Sequence, residues 1–411
     1  MQPQIIHLRK FPFPYRAALA VCSDVDNTPS PDIYKAQMDY FNGTGETVFG
    51  KGLGLEMGNS FWFFNKTETP QVSYFEGDGT RETPFAPYCR ELLKSGHIDV
   101  LHTYGNFDGG GFTRTHAETS FSELDKLNVC VHVWVNHGSR TNGQNIGPFD
   151  GFNGAVPGTA EYHNDMMQEH GVRFISLGRM THVIGQNARK TPAIIGKNTL
   201  QGLVFTVKHR RVKEIFYDSK NRLMRRKELP DGTTVWEFTR WVNAWGRQHT
   251  LDINDLVYQL KPSVMRRLVK NEGFLVVYTH ICEGLHSGRH FPEALKENLR
   301  YIGELHKSGT LLMTTTSRML RYAEMTELIS YETESINNTT KINISPSLKS
   351  PAGELLLSET GLQGLTFYCT EPEKVEMQLG GKRLALRRNP PDFTGRRSVS
   401  IPWQPLEYPF D

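Results

Sequence analysis

The segment LAVCSDVDNT, residues 19–28, joins an uninterrupted apolar run to two carboxylates, Asp24 and Asp26. Residues 17–22 are predicted to form a strand, because continuous runs of small and branched apolar residues are typical of parallel strands covered on both faces. Carboxylates at the end of such a strand are costly to bury without a partner. A divalent cation is a common partner for paired carboxylates, so the segment predicts a metal site; a solvated loop with an N-cap aspartate is the alternative.

Outside this segment, short apolar runs alternate with helix-like segments, which is the pattern of parallel strands joined by crossover helices. The further predicted strands are Ile98–Leu101, 129–135, 172–177, Phe274–Thr279 and 310–314. The predicted helices are 84–96, 115–128 with Thr115 as cap and Glu118 as capping-box partner, 159–170, 292–308 and 317–325. Since ligands bind at the carboxyl ends of strands in α/β sheets and barrels, the polar residues that follow these strands are expected to share one site.

Three regions depart from the alternation. Residues 185–248 combine strand formers, turns and the aromatic cluster Trp236, Phe238, Trp241 and Trp245, and are predicted to be a β-rich insertion in a barrel. Residues 43–83, rich in glycine and aromatic residues, are predicted to be an elaborated loop over the active-site face. Residues 326–411 have short strand-like runs with Pro and Gly turns, typical of a separate β-sandwich domain. The predicted organisation is an α/β barrel domain over residues 1–325, followed by this β-domain.

The composition of the 411 residues is that of a globular protein, with 38% hydrophobic residues and a net charge of +3. The basic clusters at 208–213 and 222–227 lie among strand-like segments and are interpreted as solvated faces, so no nucleic-acid partner is expected. Five cysteines without a CxxC pair suggest a reducing compartment. The N-terminus does not resemble a signal peptide and no apolar run is long enough to span a membrane, so a cytoplasmic location is expected.

The motif LHTYGN, residues 101–106, places His102 at the end of a predicted strand and Asn106 four residues later. Histidine is the most common nitrogen ligand of metals, and an amide oxygen also binds hard cations. Asp108 and His116 lie close enough in sequence to take the place of Asn106. The pattern predicts that Asp26 and His102 bind a metal together with one of these three residues. A hydrogen-bonded structural histidine is the alternative for His102.

Two other histidines follow predicted strands. His280 closes a nearly pure apolar strand, at a boundary where its pKa can be tuned for proton transfer, and it is the candidate general acid; a buried structural histidine is the alternative. His137, in Asn136-His137-Gly138, is a candidate ligand, oxyanion donor or substrate contact. Asn136 and Tyr104 are candidate substrate-binding or oxyanion residues beside it.

In this order, LAVCSDVDNT (19–28), LHTYGN (101–106), VVYTHI (276–281) and TTTSRMLRY (314–322) resemble the motifs of the polysaccharide deacetylase superfamily, metal-dependent carbohydrate esterases on a distorted (β/α)7 barrel. The resemblance covers residues 15–325, apart from the insertion. It implies that Asp24 is the base that activates water, that Asp26 and His102 bind the metal, and that His280 protonates the leaving amine. The chain departs from the family in Val25, which separates the two aspartates, and in Asn106, which stands where a second histidine is expected. The family's arginine-containing third motif has no clear counterpart, and His137 is a candidate for its place.

The activity implied by the resemblance is removal of an N-acyl group, usually N-acetyl, from a sugar. The implied cofactor is a divalent metal ion, with zinc expected and manganese, cobalt or nickel as alternatives. The expected substrate is an N-acylated sugar, nucleotide-linked or lipid-linked because no export signal is visible. A homo-oligomer is compatible with the sequence, which leaves the oligomeric state open.

Three other functions fit parts of the sequence. Asp24-Val25-Asp26-Asn27-Thr28 matches the opening motif of haloacid dehalogenase-type phosphatases, in which Asp24 would be a nucleophile; Asp252 and Asp255 are then the nearest candidates for the late acidic pair. A glycoside hydrolase on the same barrel would pair Asp24 or Asp26 with a second carboxylate, for which Glu283 is the candidate. A metal-free carbohydrate-binding protein is the third alternative, because Asn106 replaces a histidine.

Overall fold

The computed structural model describes residues 4–138, 141–189, 191–208, 216–242, 251–283 and 291–411. The end of the predicted insertion, residues 243–248, lies outside the described residues. The helices within the described residues are α1 (Pro31–Asn42), α2 (Ala86–Ser95), α3 (Arg114–Leu127), α4 (Asn164–Glu169), α5 (Pro192–Lys208), α6 (Ile253–Gln259), α7 (Pro262–Asn271), α8 (Glu293–Lys307) and α9 (Thr316–Leu328).

The strands follow in the same chain order. They are β1 (His7–Leu8), β2 (Ala17–Ser23), β3 (Glu46–Thr47), β4 (Gly50–Lys51), β5 (Asn59–Phe61), β6 (Phe64–Asn65), β7 (Ile98–Leu101), β8 (Gly105–Asn106), β9 (Val133–Val135), β10 (Phe174–Ser176), β11 (Arg179–Thr181), β12 (Phe216–Tyr217), β13 (Met224–Glu228), β14 (Thr234–Phe238), β15 (Arg240–Trp241), β16 (Phe274–Thr279), β17 (Leu311–Met313), β18 (Tyr331–Ile336), β19 (Thr339–Ile344), β20 (Ser347–Ser350), β21 (Gly353–Leu356), β22 (Thr366–Tyr368), β23 (Val375–Leu379), β24 (Lys382–Arg383), β25 (Arg387–Asn389) and β26 (Ser398–Ser400).

Two six-stranded sheets form the α/β part of the molecule. One has the order β12-β11-β15-β16-β2-β17 and is parallel throughout. The other has the order β13-β14-β10-β9-β7-β5, in which β13 alone is antiparallel. Thr239 separates β14 in one sheet from β15 in the other. The architecture is therefore mixed α/β with parallel sheets, as the alternation in the sequence predicts.

Strand β2 is central to its sheet, and all seven of its residues are buried. Parallel strands on both sides and helices on the faces explain this, because a strand covered on both faces needs no polar alternation. The apolar core continues into α1, which begins at the N-cap Ser30 and is not among the predicted helices. Helix α2 ends as predicted at Gly96, whose φ of 80° suits a glycine.

The strands after residue 326 build two four-stranded sheets, β18-β19-β23-β24 and β1-β22-β26-β25, and the hairpin β20-β21. The N-terminal strand β1 belongs to the second of these, with His7 opposite Tyr368. Apolar residues of both sheets, among them Ile342, Met377 and Val399, share one buried cluster. A β-rich C-terminal region is therefore present, and its description as a sandwich stays a prediction.

Residues 185–248 differ from the predicted β-rich insertion. The structure places a 17-residue helix there, α5, although Gly196 and Gly202 within it disfavour a helix by local sequence. The strands β14 and β15 belong to the two central sheets rather than to a separate unit. Residues 43–83 likewise contribute β5, which pairs with β7. In both regions, pairing with strands distant in sequence decides the structure against the prediction from local sequence.

Helix boundaries differ from the prediction in two places. Helix α3 begins after Thr113, whose side chain and the ring of His116 form the capping box, rather than after Thr115 with Glu118. The helix predicted at 159–170 is shortened to α4. No helix of the described residues is both long and apolar enough to cross a membrane.

Candidate metal and active site

The side chains expected to carry chemistry lie at the carboxyl ends of the parallel strands. Asp24 directly follows β2, His102 follows β7, His137 comes two residues after β9, and His280 follows β16. Arg240 lies within β15, one position before its end. Because the strands of each sheet run in parallel, their ends present these groups at one edge, where α/β proteins bind ligands.

Three side chains converge most closely. The Oδ1 atom of Asp26 lies 2.7 Å from Nε2 of His102 and 3.2 Å from Nδ1 of His137. The two ring nitrogens lie 3.1 Å apart. The histidines are 1% and 6% exposed, so bulk water does not separate their rings from the carboxylate. Among the described residues, these three side chains form a group that could hold a metal ion, because each offers one ligand atom close to the other two.

This trio fits a divalent metal by its geometry. Donor atoms about 2.0–2.1 Å from a tetrahedral zinc ion lie about 3.3 Å apart, close to the three distances within the trio. Atoms with lone pairs at such separations repel one another unless a proton or a cation lies between them. Asp108 Oδ2 lies 3.4 Å from the other nitrogen of His137, the outer carboxylate that metal-binding histidines commonly have. Trp62 stacks on His102 and meets His137 edge-on, which restrains both rings.

The electrostatics of the trio favour the ionised form of Asp26 and the protonated form of His137. Burial would raise the pKa of Asp26, but His102 and His137 outweigh it and hold that pKa well below its usual value. Burial likewise opposes the charged form of His137, while Asp26 and Asp108 raise its pKa to about 10. The positive charge that neighbouring protons supply here is the charge that a bound metal would supply instead.

Asp24 is set apart from the trio by its own partner. Nη1 of Arg240 lies 2.9 Å and 3.1 Å from the two carboxylate oxygens, and both residues are buried. Burial opposes the charge of Arg240, but Asp24 outweighs it and raises the pKa of the guanidinium. The guanidinium also lies 3.6 Å from the ring centre of Tyr278. Oδ1 of Asp24 remains 3.8 Å from Nδ1 of His102, so the carboxylate borders the trio without belonging to it.

His280 approaches from the next strand. Its Nε2 atom lies 3.5 Å from Oδ2 of Asp26, and its Nδ1 atom lies 3.3 Å from the carbonyl oxygen of Leu251 and 3.8 Å from Glu283. Burial lowers the pKa of His280, but the carboxylates of Asp26, Asp24 and Glu283 raise it to about 9. The imidazole is thus placed on the carboxylate oxygen that faces away from the two trio histidines.

The three predicted candidates for the third metal ligand, Asn106, Asp108 and His116, make different contacts in the structure. Oδ1 of Asn106 accepts a hydrogen bond from the backbone N–H of Asp108, and Asp108 contacts the trio through His137. His116 caps α3 by accepting from the backbone N–H of Thr113. The group that meets Asp26 and His102 is His137, for which the sequence pattern leaves a ligand role and a substrate contact both open. Ligation by Asn106 stays a prediction, without support from these contacts.

Asn136 and Tyr104 have structural contacts that argue against the substrate roles predicted for them. Asn136 holds the loop after β9 by accepting from Trp134 Nε1 and from the backbone N–H of Ile146. Tyr104 is fully buried, and its hydroxyl group lies 3.1 Å from Nδ1 of His163. Asn145 completes this support by binding both the N–H and the carbonyl oxygen of His137.

The structure also shows the contacts of two residues that the alternative functions would use, Asp252 and Glu283. Asp252 is the N-cap of α6 and accepts from the N–H groups of Asn254 and Asp255, which gives it a structural role. Glu283 accepts from the side chain of Asn27 at 3.0 Å, at the border of the site beside His280.

Arg240 is a site residue that the motifs do not indicate. A signal for it exists in the sequence, because a lone arginine inside the buried run TVWEFTRWV, residues 234–242, needs a carboxylate partner. The sequence does not name that partner, since Asp24 lies 216 residues away along the chain. Trp62 is not indicated either, because residues 43–83 have the composition of a loop.

Comparisons with known proteins add little to this geometry. No family model and no curated protein matches the chain. Among solved structures, the crystal structure of diaminopimelate decarboxylase from M. jannaschii in co-complex with L-lysine matches with a TM-score of 0.23 and 11% identity, over 94% of this chain and 82% of that chain. At that TM-score the likeness carries no argument about fold or function.

Proposed function

We propose that this protein is a metal-dependent hydrolase that removes an N-acyl group, N-acetyl first of all, from a sugar or sugar-containing intermediate. The observation that carries the proposal is the division of the site into two parts. Asp26, His102 and His137 offer three converging donor atoms, and Asp24 stands beside them on its own cation, Arg240. A metal ligand set and a separate carboxylate are what metal-assisted hydrolysis needs.

A divalent metal held by Asp26, His102 and His137 would polarise the scissile carbonyl group and lower the pKa of a bound water. Asp24 takes the proton of the attacking water, because it is the carboxylate that borders the trio without being part of it. Arg240 positions Asp24 by donating to both carboxylate oxygens. In this proposal Asp24 is the base and Asp26 is a metal ligand.

His280 delivers a proton to the departing amine. It lies on the far oxygen of Asp26, 3.5 Å away, and its Nδ1 atom is oriented by the carbonyl oxygen of Leu251. A histidine whose second nitrogen is fixed in this way presents the first one toward the reaction. The roles of Asp24 and His280 are those implied by the deacetylase resemblance.

The same proposal extends to the fold. The two parallel sheets, linked through Thr239 and in contact between β2 and β5, are proposed to form the distorted (β/α)7 barrel of polysaccharide deacetylases. The C-terminal sheets are proposed to form a β-sandwich domain. Zinc is the proposed metal because two imidazoles and one carboxylate suit it, and manganese, cobalt and nickel are the alternatives.

The direct test is acetate release. The protein is loaded with zinc, manganese, cobalt or nickel, its metal content is measured, and it is incubated with free, nucleotide-linked and lipid-linked N-acetylated sugars. Acetate and free amine are expected in equal amounts from at least one of them, and not with Asp24→Asn. Asp32→Asn, an exposed carboxylate on α1, serves as the matched control and keeps activity.

Two outcomes would overturn the proposal. One is a metal-loaded, folded protein that releases no acyl group from any substrate of the panel. The other is release of phosphate from simple phosphomonoesters with a phosphoaspartate trapped on Asp24, which would assign the site to a phosphatase.

A further inference from the structure

Helix α5 has its polar and apolar faces reversed. Ile195, Leu200, Leu203, Val204 and Val207 are between 50% and 72% exposed. Of the eleven large apolar side chains exposed among the described residues, these five lie on one helix. Scattered exposed apolar residues are ordinary, but a cluster of this kind marks an interaction surface.

The inner face of α5 is fixed by specific contacts, so the exposed face is not the result of a loose helix. Asn198 is buried, donates to the carbonyl oxygen of Ser219 and accepts from the hydroxyl group of Tyr217. Phe205 is 6% exposed and packs on the rings of His182 and Tyr217. A rotation that buried the apolar face would break these contacts.

The outer face of α5 carries no charge. Besides the five large side chains, its exposed positions with described side chains are occupied by small or uncharged residues: Pro192, Ala193, Gly196 and Thr199. The residues Leu200, Leu203, Val204 and Val207 follow the i, i+3, i+4, i+7 spacing and form one stripe. A helix of 17 residues is about 26 Å long, too short to span a bilayer upright but long enough to lie along one.

The described residues around this stripe are basic. Residues 189 and 191–208 contain no Asp or Glu, and Arg189 and Lys197 are their Lys and Arg residues with described side chains. Arg189 is exposed just before the helix, and Arg267 on α7 is exposed close to Lys197. Burial, followed by the charge of Arg267, lowers the pKa of Lys197, as expected where basic groups gather.

We infer that the outer face of α5 docks onto an anionic phospholipid surface. The stripe Leu200, Leu203, Val204 and Val207 enters the boundary between headgroups and acyl chains. The basic residues Arg189, Lys197 and Arg267 bind the phosphate groups. This combination of an uncharged apolar face with basic flanks is the signature of helices that lie in the membrane interface. The surface is separate from the proposed hydrolase chemistry, and its test needs no turnover.

A second copy of the chain fits the same face less well. Two helices packed through the stripe would bring Arg189 and Lys197 of each copy to the interface, and α5 contains no Asp or Glu to pair with them. A symmetric interface repeats each contact, so the repulsion would be counted twice. Anionic headgroups neutralise the same charges.

The test is flotation with vesicles. The full chain is mixed with vesicles of phosphatidylcholine alone, or of equal parts phosphatidylcholine and phosphatidylglycerol. Wild type is expected to bind the anionic vesicles about 10-fold more tightly than the neutral ones. Binding should fall steeply at about 1 M salt, where the Debye length is only about 3 Å.

The deciding variant is Leu200→Gln/Leu203→Gln/Val207→Gln, which changes only exposed side chains and is expected to keep the circular dichroism spectrum while losing about 10-fold in vesicle binding. Leu356→Gln, 85% exposed on β21, is the matched control and should bind like wild type. Equal binding to both vesicle types, or equal binding by the triple variant, overturns the inference. A wild-type dimer that the triple variant dissolves, without vesicle binding, assigns the face to a second copy instead.

Discussion

The strand-end site buries charged side chains, whereas the outer face of α5 exposes apolar ones. Both depart from the usual distribution, in which apolar residues are buried and charged residues are exposed. At the site, Asp24 and Arg240 are charged and only 3% and 5% exposed; on α5, Leu203 and Val207 are apolar and 64% and 72% exposed. The buried charges are stable because each has a partner of opposite sign at hydrogen-bond distance. The apolar stripe of α5 has no comparable cover among the described residues. The difference teaches that the charged groups of the site are paired within the described chain, whereas the described residues leave the apolar stripe uncovered, which is why we propose an external partner for it.

The largest expected effect separates the two aspartates. Asp26→Ala should lose bound metal and activity together, because it removes one of the three converging donors. Asp24→Asn should retain the metal and lose activity by about 10³-fold or more, since the base can no longer take a proton. Metal analysis and initial rates on the same preparations measure both. If the two variants lose metal equally, the division of labour between Asp24 and Asp26 is wrong.

Breaking the buried ion pair between Arg240 and Asp24 should strongly destabilise the folded state. Arg240→Gln leaves the carboxylate of Asp24 buried and uncompensated, and we expect the free energy of unfolding to fall by about 3–5 kcal/mol. Urea unfolding measures it. Adding Asp24→Asn to Arg240→Gln should restore part of the loss. Lys94→Gln, which removes an exposed pair with Glu91, is the control and should change stability by less than about 1 kcal/mol.

The third metal ligand can be decided by affinity. His137→Ala should weaken metal binding by about 100-fold or more, whereas Asn106→Ala should change it by less than about 10-fold. The reason is that Nδ1 of His137 lies 3.1–3.2 Å from both other donors, while the side chain of Asn106 is bound to the backbone of Asp108. Competition with a chromogenic chelator gives both constants. The opposite order would restore Asn106 as the ligand.

Acid should destabilise the protein through buried neutral histidines. His163 donates from Nε2 to the carbonyl oxygen of Gln144, and burial lowers its pKa from 6.5 to about 4. Below pH 6.5 the unfolded state therefore binds a proton that the folded state refuses, so stability falls as the pH drops toward 4. His163→Gln should reduce that slope by up to about 1.4 kcal/mol per pH unit. Urea unfolding across this range tests it, with the exposed His7→Gln as control; an unchanged slope would contradict it.

The smallest expected effect tests α5. Leu203→Gln should change the free energy of unfolding by no more than about 0.5 kcal/mol, because the side chain already faces solvent. Phe205→Ala, two residues away on the inner face, should cost about 3–5 kcal/mol. Thermal unfolding of both variants compares the two faces of one helix. A large cost for Leu203→Gln would mean that the apolar stripe is covered within the chain.

Parts of the site can be predicted from local sequence patterns. Asp24, Asp26, His102 and His280 are indicated because each follows an apolar run, and parallel strands bring such positions to one edge. Tyr104 and Asn136 are indicated only by their nearness in sequence to the histidines, and their substrate roles stay predictions. Both contribute to packing around the site, since Tyr104 is buried on His163 and Asn136 holds the loop before Ile146.

The fold can be predicted to a similar extent. The predicted ranges of strands β2, β7 and β16 agree with the structure within one residue, because continuous apolar runs of strand length leave few alternatives. Helices α1, α5, α6 and α7 are not among the predicted helices. The sequences of α1 and α5 lack the usual contrast of faces, because α1 buries Gln37 and Asn42 and α5 exposes its leucines.

The sequence by itself determined that two carboxylates end a buried strand and that histidines end two others. Local patterns fix such features, since burial and chain direction follow from a few adjacent residues. The tertiary structure alone decided that Arg240 pairs with Asp24 across 216 residues and that His137 completes the trio. It also decided that the apolar stripe of α5 faces outward. Partner choice depends on distances between remote segments, and no local pattern contains those distances.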